Sequence, residues 1–147
     1  MNLNFSKYHG TGNDFIIIDA RKQDINMFSE SFINQLCHRR FGIGADGLIL
    51  VLDHENADFE MKYYNSDGKE GTMCGNGGRC AVAFARKTGF IQNKTTFMAI
   101  DGLHHANISV NEYIKLKMQD AANIKKMASG FFIKTGSPHY VEFVTDV

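Results

Sequence analysis

The stretch that decides the fold runs Met73-Cys74-Gly75-Asn76-Gly77-Gly78-Arg79-Cys80-Ala81-Val82-Ala83-Phe84-Ala85-Arg86-Lys87-Thr88-Gly89. Its second half predicts a helix, because Cys80, Ala83 and Phe84 recur at helical spacing and Gly89 stands where a glycine commonly ends a helix. Its first half is a glycine-rich entry, and each glycine costs about 1 kcal/mol of helix stability relative to alanine. Such glycines need a reason, and the one we expect is a close approach of the backbone to a ligand.

Cys74 is the candidate catalytic residue of this stretch. It directly precedes the glycines, where the free N–H groups and the dipole of a helix N-terminus favour an anion and a thiolate. Asn76 adds an amide that both donates and accepts hydrogen bonds. The alternative for Cys74 is a buried structural cysteine beside a tight turn. Cys37 and Cys80 lie among apolar residues at helical spacing, and we expect both in the core.

Strands and one further helix are predicted outward from this stretch. Short strands are expected at 3–8, 15–19, 48–52 and 59–64, with a turn at 9–14 and a strand meander over 95–118. A helix capped by Ser29 or Ser31 is expected to end near residues 39–41 and to be stopped by Gly42. Residues 119–129 are polar and small, which predicts a linker.

Two similar segments indicate a repeat. Lys7-Tyr8-His9-Gly10-Thr11-Gly12-Asn13-Asp14-Phe15 and Phe132-Ile133-Lys134-Thr135-Gly136-Ser137-Pro138-His139-Tyr140-Val141 both read as a strand, a turn with Thr-Gly, and a strand. A unit of roughly 125 residues therefore starts again near the end of the chain. We divide the chain into an N-terminal domain over 1–120 and, over 121–147, a linker with the first hairpin of a second domain. The alternative is that two Thr-Gly hairpins coincide by chance.

Composition excludes several classes of function. The sequence balances 16 basic against 16 acidic residues, so there is no electrostatic reason to expect nucleic acid or an anionic membrane as partner. No apolar run approaches the ~18 residues of a membrane span, and the first residues lack a signal-peptide pattern, so we expect a cytoplasmic protein. Three cysteines without a CxxC pair argue against a disulfide framework and a zinc ribbon, and we expect no metal site.

One motif is rejected on its context. Gly42-Ile43-Gly44-Ala45-Asp46-Gly47 matches the GxGxxG pattern of dinucleotide-binding proteins. That fingerprint needs a strand first and a helix second, whereas here a predicted helix precedes and a predicted strand follows.

Four blocks together resemble the diaminopimelate epimerase family. They are Lys7-Tyr8-His9-Gly10-Thr11-Gly12-Asn13-Asp14-Phe15, Arg39-Arg40-Phe41-Gly42-Ile43-Gly44-Ala45-Asp46-Gly47, Tyr64-Asn65-Ser66-Asp67-Gly68 running on to Met73-Cys74-Gly75-Asn76-Gly77-Gly78-Arg79-Cys80, and Thr135-Gly136-Ser137-Pro138-His139-Tyr140-Val141. The blocks stand in the family's order but cover only the front half of its sequence. The resemblance implies an α/β (α+β) fold of two pseudo-symmetric domains, each a curved mixed sheet wrapped around a central helix, of which this chain carries the first.

The resemblance also implies a reaction. Family members interconvert LL- and meso-diaminopimelate for lysine and peptidoglycan synthesis without pyridoxal phosphate or metal. We therefore expect no cofactor and a small amino acid as partner. In the family, one cysteine thiolate removes the α-proton while a second cysteine thiol delivers a proton to the opposite face, and Cys74 matches the first of these. Gly75 and Asn76 match positions whose backbone holds the substrate carboxylate, and Asn13 and Asn65 match positions that bind its ammonium and carboxylate groups.

Some positions depart from the family pattern. The resemblance places Gly47 where many members have glutamine, so that side-chain contact is absent. It places Ser137 where many have asparagine, and we expect the shorter Ser137 hydroxyl to bind the substrate in its place. His139 matches a motif position beside the site. The second catalytic cysteine belongs to the second domain, and no cysteine follows Cys80 here, so we expect the isolated chain to be inactive.

Two other classes of function stay open at this point. One is another isomerase on the same fold, of the proline-racemase or phenazine-biosynthesis type, although the latter does not use a cysteine pair. The other is a non-catalytic domain that binds an amino acid or forms a homodimer through its open face.

Overall fold

The computed structural model describes residues 3–146, apart from the side chain of Ala122. These residues form two compact units that divide between Lys117 and Met118. The elements of the first unit are β1 (Ser6–Gly10), β2 (Asn13–Asp19), a short 3-10 helix (Ile25–Met27), α1 (Glu30–Cys37), β3 (Gly47–Leu52), β4 (Phe59–Asn65), α2 (Gly75–Lys87), β5 (Lys94–Ala99), β6 (Gly102–Ile108) and β7 (Ile114–Lys117). Those of the second are β8 (Ala122–Lys126), β9 (Phe131–Thr135) and β10 (Ser137–Val141).

The first unit is a mixed sheet curled around α2. Its seven strands are hydrogen-bonded in chain order, with β2–β3 and β4–β5 parallel and the other neighbours antiparallel. The helix α2 contacts β1 and β7, which are the two edges of this sheet, as well as strands between them. One helix can touch both edges only if the sheet curves around it. The predicted curved mixed sheet around a central helix is therefore confirmed.

Strands β2 and β3 are apolar on both faces because both faces are covered. Phe15 and Ile17 point into the core that contains the buried face of α2. Ile16 and Ile18 point the other way, into a second core with Ile33 of α1. This explains the unbroken apolar run in β2, since alternate residues of a strand serve opposite faces.

The helix α2 begins at Gly75, and Cys74 is its N-cap residue. The predicted glycine-rich entry is thus the first turn of the helix itself, not a segment before it. Gly75 and Asn76 are partly exposed there, whereas Gly77 and Gly78 are buried. The exposed half of this turn is available to a ligand and the buried half is not.

Packing accounts for the two buried glycines. A Cβ atom on Gly78 would lie 2.8 Å from Cε of Met73 and 2.9 Å from Cδ2 of Leu116, closer than atoms pack. A Cβ atom on Gly77 would lie 3.3 Å from Cδ1 of Ile49, which is tight but tolerable. For these two positions, packing of α2 against its neighbours is a reason for glycine that involves no ligand, and the expected close approach to a ligand stays a prediction.

Three predicted boundaries differ from the structure. Ser29 does cap α1, but α1 ends at Cys37 rather than near residues 39–41, because the ring Nδ1 of His38 accepts the backbone N–H groups of Arg40 and Phe41 at 3.1 Å each. The turn between β1 and β2 is only two residues long, with both central φ angles positive, as in a tight hairpin. The linker predicted over 119–129 is wrong in part, since it contains β8, which pairs with β9.

The second unit is a three-stranded sheet in the order β10-β9-β8. Its β9–β10 pair is the predicted second hairpin, and Gly136 at its turn has a φ of 99°. The assignment of residues 121–147 to the start of a second, related domain stays a prediction.

Candidate active site

The hairpin turn between β1 and β2 lies against the start of α2. Gly10 ends β1, and a Cβ atom there would lie 3.1 Å from Cβ of Asn76 and 3.3 Å from its Oδ1. A glycine at this position therefore lets the turn reach the helix. Asn13, the first residue of β2, is brought beside Cys74 in this way.

Asn13, Cys74 and Asn76 form one corner of the molecule, and a single oxygen, Oδ1 of Asn13, accepts hydrogen bonds from the other two side chains. The Cys74 Sγ donates to Oδ1 of Asn13 at 3.7 Å, and Nδ2 of Asn76 donates to the same oxygen at 3.4 Å. On its other side, Nδ2 of Asn13 donates to Oδ2 of Asp46 at 2.8 Å. The Asn13 amide is therefore held with its nitrogen on Asp46 and its oxygen facing the sulfur.

The Asn76 amide is oriented in a similar way. Its oxygen accepts a hydrogen bond from the Arg79 guanidinium, one turn further along α2, so that its nitrogen faces Asn13. Within the described chain, the Cys74 side chain caps none of the N–H groups of α2. The first three N–H groups of an α-helix have no acceptor inside the helix, so those at the start of α2 are available to an anion.

Charged residues behind Asn13 stiffen the corner. Arg39 donates to Oδ1 of Asp14 and to Oδ1 of Asp46 at 2.8 Å each, and the Lys7 ammonium lies 2.7 Å from Oδ2 of Asp14. The two carboxylates also tie the strands together, since the backbone N–H of Asp14 donates to Oδ2 of Asp46 and the backbone N–H of Asp46 donates to Oδ1 of Asp14, at 3.1 Å each.

These contacts favour the ionised form of both carboxyls. The hydrogen bond from Arg39 holds the pKa of Asp14 well below its usual range, against the opposing effect of burial. The hydrogen bond from Asn13 is the largest cause that lowers the pKa of Asp46. Sequence reasoning did not select Asp46, although it lies within one of the four family-like blocks.

Cys74 differs from the other two cysteines in its surroundings. It is partly exposed at the margin of the core around α2, whereas Cys37 and Cys80 are only 3% and 4% exposed. Burial raises the pKa of Cys37 and of Cys80 to about 11. The prediction that these two are core residues is confirmed, and the alternative of a sealed, structural Cys74 is not supported.

Asn65 ends β4, opposite Gly47 of β3. The Tyr63 hydroxyl donates to Oδ1 of Asn65 at 2.9 Å. Burial raises the pKa of the Tyr63 hydroxyl, and negative charge on the nearby Cys74 sulfur raises it further. Tyr63 was missed by sequence reasoning, because its strand position alone does not distinguish it from a core aromatic residue.

Ser137 and His139 lie on β10 in the second unit. The His139 ring Nδ1 lies 3.0 Å from the carbonyl oxygen of Ser137 and 3.2 Å from Oγ1 of Thr135. Their expected part in a substrate site stays a prediction.

Two negative findings apply to residues 3–146 only. No group of three or more His, Cys, Asp or Glu side chains is placed to hold a metal ion there. No helix in that range is both long enough and apolar enough to span a bilayer.

The fold is the one found in solved epimerases and phenazine-biosynthesis proteins. A phenazine biosynthesis protein from Bacillus anthracis superposes with a TM-score of 0.69 at 17% identity, over 94% of this chain and 53% of its own. A hydroxyproline epimerase from Agrobacterium vitis, solved with bound trans-4-OH-L-proline, gives a TM-score of 0.64 at 13% identity, over 94% and 50%. At these identities the likeness shows the fold alone.

Sequence comparison gives the family. The model of the family described as diaminopimelate epimerase matches residues 5–124. The diaminopimelate epimerase of Flavobacterium psychrophilum is 55% identical over 141 residues, covering 96% of this chain and 55% of that protein. That of Chlorobaculum tepidum is 42% identical over 145 residues, covering 94% and 56%. The chain therefore belongs to the diaminopimelate epimerase family, and it spans about half the length of these curated relatives.

Proposed function

We propose that this chain carries the first acid/base thiol, Cys74, of a two-thiol epimerase that converts LL- into meso-diaminopimelate without a cofactor. One observation supports this most: a partly exposed sulfur lies at the start of α2, beside uncapped N–H groups and a fixed amide oxygen. The names of the relatives supply the substrate.

The corner offers one partner for each group on the α-carbon of an amino acid. The N–H groups of Gly75 and Asn76 suit the carboxylate, which they and the helix dipole favour. The Asn13 oxygen, held away from Asp46, suits the ammonium group. A substrate bound in this way has its α-carbon beside the Cys74 sulfur.

The proton transfers balance across two thiols. A Cys74 thiolate takes the α-hydrogen as a proton, so that an S–H bond forms, the C–H bond breaks and the electron pair stays on the substrate. That charge spreads into the carboxylate, where fixed N–H dipoles stabilise it. A second thiol on the opposite face then donates its proton to the α-carbon, which inverts the centre and leaves a thiolate. The reverse reaction uses Cys74 as the donor.

The partner thiol must come from outside these 147 residues. No cysteine follows Cys80 in the chain, and both Cys37 and Cys80 are buried. A single base returns the proton to the face from which it came, so the isolated chain gives no inversion.

The test joins the chain to the part of a relative that the chain does not span. Residues 1–147 are joined to the remainder of the Flavobacterium psychrophilum enzyme, and conversion of LL- to meso-diaminopimelate is followed by chiral chromatography. We expect activity in the fusion protein and a loss of about 10²–10⁴-fold in kcat on Cys74→Ser. Cys80→Ala, a substitution in the core beyond the first turn of α2, is the matched control and keeps most of the activity of the fusion protein.

Two results contradict the proposal. One is a Cys74→Ser fusion protein that inverts the substrate at the rate of the unmodified fusion protein. The other is inversion by the purified 147-residue chain alone, because one accessible thiol cannot serve both faces of the α-carbon.

A further inference from the structure

The Tyr63 ring occupies a slot that two glycines leave open. A Cβ atom on Gly47 would lie 2.5 Å from Cε2 of Tyr63, and one on Gly71 would lie 2.6 Å from Cε1. These atoms are on opposite edges of the ring, so each edge lies against a glycine. Phe15, which is fully buried, packs edge-to-face on the same ring with centroids 5.9 Å apart. The ring is thus held on three sides.

Position 47 has no room for a side chain in this structure. Besides the Tyr63 ring, a Cβ atom there would lie 2.5 Å from the backbone carbonyl oxygen of Tyr64. A glutamine, which the family resemblance leads us to expect at this position, therefore has no room here. The space on the Asn65 side of β3 is filled by the phenol of Tyr63 instead.

The phenol end of Tyr63 has a defined task. Its hydroxyl donates to Oδ1 of Asn65 at 2.9 Å. Burial raises the pKa of Tyr63 to about 12, so the hydroxyl keeps its proton at neutral pH and remains a donor. The hydrogen bond holds the Asn65 amide with its oxygen toward Tyr63 and its nitrogen on the other side. The NH₂ group is a donor suited to a carboxylate and not to an ammonium group.

We propose that Tyr63 is a positioning residue that orients the Asn65 amide for the substrate carboxylate, with its ring held in the space that Gly47 and Gly71 leave open. The inference rests on the proposed function, since it assigns Asn65 to the same amino-acid substrate. It also separates the tasks of the two asparagines, because the Asn13 nitrogen is bound to Asp46 and the Asn65 oxygen is bound to Tyr63, so opposite ends of the two amides are directed to a ligand.

The test compares hydroxyl deletions at neighbouring positions of β4. Tyr63→Phe removes the donor to Asn65, and Tyr64→Phe, whose side chain packs on the opposite face with the α1 core, is the matched control. The 147-residue chain, labelled with ¹⁵N, is titrated with LL-diaminopimelate, and Kd is read from the amides of Gly75 and Asn76. We expect Tyr63→Phe to weaken binding about 5-fold, the effect of one hydrogen bond, and Tyr64→Phe to leave it unchanged.

A double-mutant cycle distinguishes positioning from mere packing. If Tyr63 acts through Asn65, Tyr63→Phe adds no further loss of affinity in an Asn65→Ala background. Equal losses in both backgrounds, no loss in the single variant, or the same loss in Tyr64→Phe would each overturn the proposal.

The side-chain NH₂ signal of Asn65 separates this inference from the proposed function. Tyr63→Phe should shift that signal in the ligand-free chain, and Tyr64→Phe should not. If the unmodified chain fails to bind diaminopimelate, the proposed substrate fails while this comparison still decides whether Tyr63 orients the amide. An unmoved Asn65 signal in Tyr63→Phe refutes the orientation whatever the binding result.

Discussion

Selective alkylation of the three cysteines is the most direct probe of the corner at the start of α2. Treatment of the folded chain with iodoacetamide at pH 7.5 should modify Cys74 first. Cys37 and Cys80 are almost fully buried, and their pKa values of about 11 leave roughly one thiolate in 3,000 molecules at that pH. An ordinary accessible cysteine, with a pKa of about 8.5, is about one-tenth thiolate under the same conditions.

The expected separation follows from these fractions. Ionisation alone slows the two buried thiols about 300-fold relative to an ordinary accessible one, and restricted access slows them further. Raising the pH from 7.5 to 9 should speed Cys37 and Cys80 about 30-fold, since their thiolate fraction rises tenfold per pH unit below their pKa.

Peptide mass spectrometry of quenched samples measures the three rates separately. Cys74→Ser should abolish the fast phase and leave the slow ones, and the chain unfolded in guanidinium chloride should label at all three positions. Labelling of Cys37 or Cys80 as fast as Cys74 in the folded chain would refute the argument from burial and remove the basis for singling out Cys74.

Two further predictions concern stability. Gly78→Ala and Gly77→Ala gain the same helix propensity, but only the first forces contacts below 3 Å, with the side-chain ends of Met73 and Leu116. Because these ends can shift, urea denaturation should find Gly78→Ala less stable than Gly77→Ala by about 1 kcal/mol, the low end of the cost of overpacking, and equal stability would contradict the packing role of Gly78. The depressed pKa of Asp14, held by Arg39 and Lys7, stabilises the fold fully above about pH 4, and this contribution is lost as the pH falls through the lower folded-state pKa. As the pH is lowered below 4, the urea concentration at the unfolding midpoint should therefore fall less steeply in Asp14→Asn than in the unmodified chain. Parallel profiles in the two proteins would show that the ion pairs of Asp14 do not stabilise the fold.

Local patterns in the sequence were enough to predict most elements and the central helix. The helical spacing after Gly78 and the cysteine before Gly75 located α2 and its N-terminus, because both signals lie within one segment. The strand β8 was missed because its side chains from Asn123 to Lys126 are exposed and, apart from Ile124, polar. Backbone pairing with β9 forms that strand, and such pairing leaves no apolar alternation in the sequence.

The contacts that orient the site could not be predicted in the same way. Asn13 and Asp46 are 33 residues apart, and their hydrogen bond depends on the parallel pairing of β2 with β3. The fit of Tyr63 against Gly47 depends equally on the alignment of β3 with β4. Apolar alternation indicates which face of a strand is covered, but not which residue of the neighbouring strand lies beside it.

Both faces of β2 are covered by apolar residues, so its alignment with β3 depends on the polar residues Asp14 and Asp46, which also hold the candidate site. If β2 slipped by one residue along its neighbours, Ile16 and Ile18 would take the places of Phe15 and Ile17. Apolar side chains would still contact apolar side chains on both faces of the strand. The paired backbone bonds at Asp14 and Asp46 oppose such a slip. A substitution of Asp46 that is made to accommodate a new ligand therefore also removes hydrogen bonds that fix the alignment of the sheet. A library of variants at that position should contain misfolded members as well as members with altered binding.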